Sequence, residues 1–492
     1  MRIKVLLVFI IFYQSSVYAN IQEYIDSFTK TIDNDMYKTF TEVMKGSATI
    51  SDIEKHNIID NDISNELNTP FIYTDLANCI KIALEKNYLI KVSDAYKKQY
   101  YWLYKNADVS VLPDIYYDYR IQYLGGHYLV GGIVSLTTHE IPIQSMFMFE
   151  WSTFNQGKYF FLVSQAKNIF ESSIAELEFT KEKIIRDVVL AYYDLLEKKL
   201  EIEVQKVNLY DRLEQLKYTN SRYEAGLGTL YDIKRAQAEF AGAQQDYTTT
   251  LNSLKLRQAH LANILGIDVL DAVYPYEIEV DLRTLINPDC EIEKLYLQAL
   301  SGREDIRAKK AEINAYRAQR SSNYTDVIPE VIFSYQNGWA GTKRVGLKGN
   351  NSLTLDIRAH LGKNMLLGTI TKIKSDTEQV RAKKLELINL QRDIKENILS
   401  YYYDSINALK KIEAAKVEKE SADVSLDLAL TNMKAGEATF IDVISSQNLK
   451  IQANINLIKN MIEYNKAQTN LLFEIGILSP KNVLRGYKEK FY

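Results

Sequence analysis

Proline is almost missing from the interior of this chain. Its seven prolines stand at 70, 113, 142, 275, 288, 329 and 480, so none falls in 158–226 or 369–435. Glycine, with 20 residues in 492, is absent from both stretches until Gly226 and Gly436 close them. Without helix breakers, each stretch reads as one continuous helix, roughly 100 Å long at 1.5 Å per residue. A helix of that length cannot be the core of a compact domain, where the mean is about 11–12 residues. Cysteine and histidine are scarce too: two and five residues, scattered, which leaves no metal-ligand cluster. A net charge of −3 gives no case for a nucleic-acid partner. No acid, base and nucleophile constellation stands out, and no GxxxxGK[ST] phosphate loop occurs, so no catalytic residue or cofactor is assigned.

One absence is more pointed. Beyond the first residues, no run approaches the eighteen or so apolar residues that a membrane-spanning helix needs. The N-terminus itself carries Arg2 and Lys4, then the apolar run Val5–Tyr13, then Val17-Tyr18-Ala19. That is the pattern of a secretory signal peptide over 1–19, cleaved after Ala19. The chain is thus expected to be exported, without a spanning helix.

What is present is a duplication. "ALEKNYLI" from Ala83 is matched by "ALSGREDI" from Ala299, and the same offset of 216 carries Pro113 onto Pro329. Farther on the offset is 210: Asp194 onto Asp404, Gly226 onto Gly436, Asp232 onto Asp442, Gln237 onto Gln447 and Gly266 onto Gly476. Two copies of this length form a duplicated half-molecule rather than a short-period solenoid. The first spans 71–285 and the second 286–478; 20–70 is an N-terminal extension of unknown role, and 479–492 is a tail. Cys79 has no cysteine at its equivalent position, which is Leu295. The two cysteines, Cys79 and Cys290, therefore read as isolated thiols, although an oxidising compartment would permit a bridge.

Within the first long helix, Val188, Leu195, Ile202, Leu209 and Leu216 recur every seven residues, half of a coiled-coil seam. A glycine turn and a returning helix follow each long helix, which makes two antiparallel hairpins with tips at about 225–232 and 435–442. Thr229-x-x-Asp232 and Thr439-x-x-Asp442 have the spacing of a capping box that starts each returning helix. Asp442 and Asp232 are also candidates for an acidic ring if several copies meet on one axis, and both readings stay open.

Four segments alternate with a period of two, at about 114–124, 145–154, 330–339 and 351–361. In the first, Ile115, Tyr117, Tyr119, Ile121 and Tyr123 form one face, and Tyr116, Asp118, Arg120 and Gln122 the other. On the polar faces of the rest stand Glu150, Ser334, Gln336, Asp356 and Arg358. This is the dyad pattern of a transmembrane strand with lipid on one side and a water-filled lumen on the other. The segments form two hairpins whose glycine-bearing connections read as loops. Four strands cannot close a barrel, and open edges cannot stand in hydrocarbon. Three copies would give twelve strands.

These features together resemble the TolC-like outer-membrane efflux protein family, the outer membrane factors of tripartite efflux or type I secretion systems. The resemblance rests on the duplication, on the proline before each first strand (Leu112-Pro113 and Ile328-Pro329), and on the doubled tip pattern Gly226/Asp232/Gln237 and Gly436/Asp442/Gln447. It covers roughly 72–478. It implies a mainly α homotrimer with a transmembrane β part: a 12-stranded β-barrel in outer-membrane lipid, continued by a periplasmic α-barrel of coiled-coil hairpins. It also implies a periplasmic adaptor docked at the tips (Gly226, Leu227, Gly228, Thr229; Gly436, Glu437, Ala438, Thr439) and, through it, an inner-membrane pump. At the constriction, positions where some members carry Tyr and Arg hold Met433 and Ala438. A second acidic position one turn past Asp442 holds Ser445, so the gate is expected to close by apolar packing. Three readings are open: an outlet for small toxic compounds, an outlet for a secreted polypeptide, and a periplasmic coiled-coil scaffold without a pore.

Overall fold

Two helices of equal length organise the chain, and a returning helix of matched length follows each. In the computed structural model, α3 (Lys158–Glu224) and α7 (Thr369–Ala435) each have 67 residues, while α4 (Leu230–Leu265) and α8 (Phe440–Ile475) each have 36. The structure describes residues 72–130, 134–152, 157–226, 228–271, 273–277, 279–286, 291–342, 346–358, 367–435 and 437–488. The signal peptide, the 20–70 extension, Cys290, Leu227 and Gly436 lie outside the described residues.

Shorter elements complete both repeats. The first contributes β1 (Ile72–Thr74), α1 (Leu76–Lys86), α2 (Tyr88–Val109), β2 (Asp114–Ile121), β3 (Leu124–Val130), β4 (Val134–Glu140), β5 (Pro142–Ser152) and β6 (Val273–Pro275). The second contributes α5 (Ile292–Gly302), α6 (Glu304–Tyr324), β7 (Glu330–Thr342) and β8 (Gly346–Arg358). The tail folds back as α9 (Pro480–Lys488), with Val483 buried.

The main sheet is antiparallel, in the order β2-β5-β7-β8. Strand limits differ from those read in the sequence. The first strand stops at Ile121, so Gln122 lies in a link whose amide donates to the Pro142 carbonyl at 3.1 Å. The second begins at Pro142, the third runs on to Thr342, and the fourth occupies Gly346–Arg358. The connection in the first repeat is not a loop. It contains a further hairpin, β3/β4, that pairs from Leu124↔Glu140 to Val130↔Val134. Its doubled glycines hid a ladder, because glycine in a strand reads as a break in sequence.

The helices adjoin in an equally regular order. In the half next to the sheet, α2 packs on α3, α3 on α6, and α6 on α7. In the far half the order is α4, α3, α8, α7. The expected seam residues are inside: Val188, Leu195, Ile202 and Leu209 are buried, and Leu216 is half-buried. The main core gathers Leu195, Leu196, Leu261 and Leu265 of the first hairpin with Leu76 and Ile80 of α1 and Ile462 and Phe473 of α8.

Each returning helix ends on an equivalent joint. Gly266 and Gly476 take left-handed φ values of 73° and 76°, which side chains rarely adopt. A Cβ on Gly266 would stand 2.8 Å from the Lys86 carbonyl oxygen, and one on Gly476 would stand 2.9 Å from the Arg303 nitrogen. Backbone therefore meets backbone where α1 turns into α2 and where α5 turns into α6. In the first joint, Asn87 Nδ2 donates to the Ile264 carbonyl at 2.7 Å. In the second, Arg303 takes that place, 216 residues on. Its guanidinium donates to the Glu474 carboxylate at 2.5 Å and carbonyl at 3.2 Å, and to both Asp305 oxygens at 3.0 and 2.7 Å. All three side chains are nearly buried, and burial pushes the Glu474 carboxyl up from its ordinary range while Arg303 pulls it back.

Removing one partner of a buried ion network strands the remaining charges. Arg303→Ala should therefore cost about 3–5 kcal/mol, against about 1–3 kcal/mol for Asn87→Ala, which takes the partner from the Ile264 carbonyl and from the Leu89 and Ile90 amides that Asn87 Oδ1 caps. Chemical denaturation of the two variants checks the order.

Candidate functional site

The register of the main sheet sorts its side chains onto two unlike faces. Ile115, Phe149, Tyr335 and Leu353 lie in one cross-strand row, and Trp151, Phe333 and Leu355 lie in the next. Tyr117 and Phe147 pair with ring centroids 5.1 Å apart on the same face. Ile115, Tyr117, Tyr119, Phe147, Leu353, Leu355 and Ile357 are all more than half exposed. A contiguous exposed apolar face of this kind is foreign to a soluble monomer.

The other face carries the polar set. Asp118 and Arg120 form an ion pair at 3.2 Å, as do Asp356 and Arg358 at 3.3 Å. Glu150, Ser334 and Thr354 share a row, as do Gln336 and Ser352, and Tyr116 donates to Glu150 at 3.5 Å. Like-handed rows across four strands bring all these residues together, apart from Gln122 in its link. The face is not uniformly polar, since Met146 and Met148 stand in it and Met146 is buried.

About 100 Å away along the long helices are the tips. At the first, Gly226 has a φ of 74°, which lets the chain reverse after α3. Thr229 and Asp232 then cap α4 reciprocally: the Thr229 amide donates to Asp232 Oδ2 at 2.9 Å, and the Asp232 amide donates to Thr229 Oγ1 at 3.3 Å. At the second tip, the Thr439 amide and hydroxyl donate to Asp442 Oδ2 at 2.8 and 2.6 Å. The Thr hydroxyl, then the Thr amide, holds each carboxyl below its usual range. Gly228 sits where a Cβ would be 3.2 Å from the Tyr223 nitrogen, so a side chain there would press on the end of α3.

The remaining gate candidates are not all brought together. Ala438 and Asp442 line a shallow cleft of about 710 Å³ between α7 and α8, with Val424, Leu428, Asn432 and Ser446. The amides of Glu437 and Ala438 both donate to the Asn432 carbonyl, at 2.9 and 3.2 Å. Met433 is half-buried and Ser445 exposed, and neither lines that cleft. Among the described residues, no group of histidine, cysteine and acidic side chains could hold a metal. Cys79 is buried beside Thr74, and burial pushes its thiol up to about 12, which suits an inert core residue.

One cluster near the tips has no counterpart in the sequence reading. Arg212 on α3 is only 2% exposed and reaches Gln447 and Asn448 on α8. Gln447 was visible as part of a repeated spacing, but not as a partner of this arginine. On a helix rich in charge, a single arginine looks like part of a solvated face.

Comparison with known proteins gives one consistent picture. The outer membrane efflux protein family matches residues 144–267 and 295–476. Outer membrane protein TolC of Vibrio cholerae is 24% identical over 314 residues, which cover 62% of this chain and 70% of that protein. Outer membrane efflux protein BepC of Brucella suis is 21% identical, over 57% of this chain and 60% of that protein. Among solved structures, the Campylobacter jejuni CmeC outer membrane channel superposes with a TM-score of 0.75 at 13% identity, over 84% of this chain and 89% of that one. The Vibrio cholerae outer membrane protein VceC gives 0.70 at 17% identity, over 82% and 96%.

The caps set a pH expectation for the tips. A carboxyl held low stabilises the folded end fully above its unfolded pKa, near 3.9, and loses that contribution as pH falls through the lower folded value. The protection of the amides at the start of α8, measured relative to their intrinsic exchange at each pH, should therefore hold down to about pH 4 and fall below it. Asp442→Ala should lower it at neutral pH, whereas Asp442→Asn, which keeps an acceptor oxygen, should remain close to the native value.

Proposed function

The chain belongs to the outer membrane efflux protein family, and from that premise we propose that it is the outer-membrane exit duct of a tripartite efflux system, assembled as a homotrimer. The observation that carries this reading is the agreement of open edges at three levels. The first repeat supplies one edge throughout, with β2, α2 and α4; the second supplies the other, with β8 and α7. Head-to-tail repetition of such a unit closes a ring. Three copies bring twelve strands, an even number within the range of outer-membrane barrels.

In this ring the exposed apolar face meets outer-membrane lipid. The face with Asp118, Arg120, Glu150, Ser334, Gln336, Asp356 and Arg358 lines the lumen, with Gln122 at its rim. None of the described helices is long and apolar enough to cross a membrane, so the strands are the part suited to do so. The helical hairpins continue the tube into the periplasm. Their tips, Gly226–Thr229 and Gly436–Thr439 in the sequence, present turns to a periplasmic adaptor, and an inner-membrane pump acts through it. Asp232 and Asp442 serve the caps, a role supported at both tips by their bonds to threonine. The cargo is small molecules; the chain is a conduit and performs no catalysis.

The face assignment is tested by an asymmetric pair of variants. Tyr119→Lys puts a charge against lipid, at a cost of up to about 2–4 kcal/mol near the bilayer midplane, and should impair insertion. Asp118→Ala should insert normally and change only ion selectivity in planar bilayers. Equal insertion of both would overturn the face assignment. Inserted protein without conductance would favour a scaffold lacking a pore.

A further inference from the structure

Duplication leaves one carboxylate of this molecule without the cations that its counterpart has. On α7, Glu386 is met by Lys309 of α6 at 2.9 Å and by Lys383 of its own helix at 3.1 Å. The offset of 210 makes Glu176 its equivalent on α3, and the equal lengths of α3 and α7 carry that offset along both helices. Ser173 then stands where α7 has Lys383. By the offset of 216, Ser93 of α2 stands where α6 has Lys309. Among the described residues, none hydrogen-bonds to the Glu176 side chain or forms an ion pair with it.

Where the long side chains are replaced by short ones, a groove opens. It holds about 740 Å³ between α2, α3 and α6, and Ser93, Ser173 and Glu176 all line it. Tyr96 and Tyr100 of α2, Tyr316 of α6, and Ile169 and Phe179 of α3 give it aromatic and apolar walls. Two other charged residues line it. Glu312 is already held by Lys309 at 2.8 Å and by Lys383 at 3.1 Å. Lys183 stands about 10 Å from Glu176 along α3. The crowding protein, and after it Asp305, pushes the Glu176 carboxyl above its ordinary range, while Lys309 pulls it back. An unpaired carboxylate among tyrosine rings complements an organic cation: the charge and the ring faces attract its head, and the apolar walls take its body.

In the ring proposed above, this groove faces the bore. Twelve helices about 9 Å apart make a circle roughly 35 Å across their axes, which leaves a bore of roughly 25 Å. Three copies of α1 and α5 cannot fit inside it, so they stand outside. Ile185 packs into the core with Leu76 and Ile80 of α1. It lies about two and a half turns past Glu176, so Glu176 points the opposite way.

We propose that this groove binds organic cations with an aromatic or aliphatic body, whose charge pairs with Glu176 where the second repeat uses two lysines. As a resting place for cargo inside the duct, the site rests on the reading of the preceding section; as a binding site on one chain, it does not.

The probe is tetraphenylphosphonium, a permanent aromatic cation. Equilibrium dialysis against the full chain in detergent, with empty micelles as the blank, should show saturable uptake of one probe per chain. Glu176→Gln should weaken it at least about tenfold, as expected when a charge loses its partner in an apolar site. Ser173→Lys rebuilds the ion pair of the second repeat and fills the groove, so it should abolish uptake. It also decides the point if Glu176→Gln does not fold. Tetraphenylborate, of the same shape and opposite charge, should show no saturable uptake. Unchanged affinity in either variant overturns the site, as does equal uptake of tetraphenylborate. Saturable uptake by a chain that gives no conductance in planar bilayers keeps the site and overturns the duct. Conductance without saturable uptake overturns the site and keeps the duct.

Discussion

The unpaired edges of a four-stranded sheet constrain the whole molecule. Among the described residues β2 and β8 each have a strand neighbour on one side only, so each presents a row of backbone N–H and C=O groups on the other. In water such groups are tolerable. Beside a face of exposed isoleucine, leucine, tyrosine and phenylalanine they are not, because hydrocarbon offers no partner and each orphaned group costs several kcal/mol. The proposed closure with other copies meets that demand, and the helices leave the sheet in the same lateral order as the strands.

The duplicated plan is preserved where geometry demands it and altered where chemistry can vary. Gly266 and Gly476 meet the opposing chain backbone at equivalent joints, and neither tolerates a Cβ. The polar partner at those joints has diverged: Asn87 satisfies one carbonyl, whereas Arg303 gathers two carboxylates. The same freedom appears nearer the tips, where α3 carries the buried Arg212 and the equivalent position of α7 is Ala422.

Much of this was legible in the sequence because it depends on local rules. The absence of proline and glycine set the extent of α3 and α7, and the Thr-x-x-Asp spacing located both caps. Alternation assigned the two faces of β2, β5, β7 and β8, and the register later aligned them row by row. What escaped depends on tertiary partners. The β3/β4 hairpin was hidden by Gly125, Gly126, Gly131 and Gly132, which read as loop. Arg212 gave no signal, since its burial follows from the approach of α8, 235 residues distant at Gln447. Met146 is buried on the polar face, and period two predicts which face a residue takes but not how crowded that face is.

Native mass spectrometry of the detergent-extracted protein tests the central claim most directly. Closure of the sheet edges predicts a particle of three chains that persists until the detergent shell is stripped away. A single-chain particle that still inserts into bilayers would contradict it, because its sheet edges would then stand unpaired in lipid.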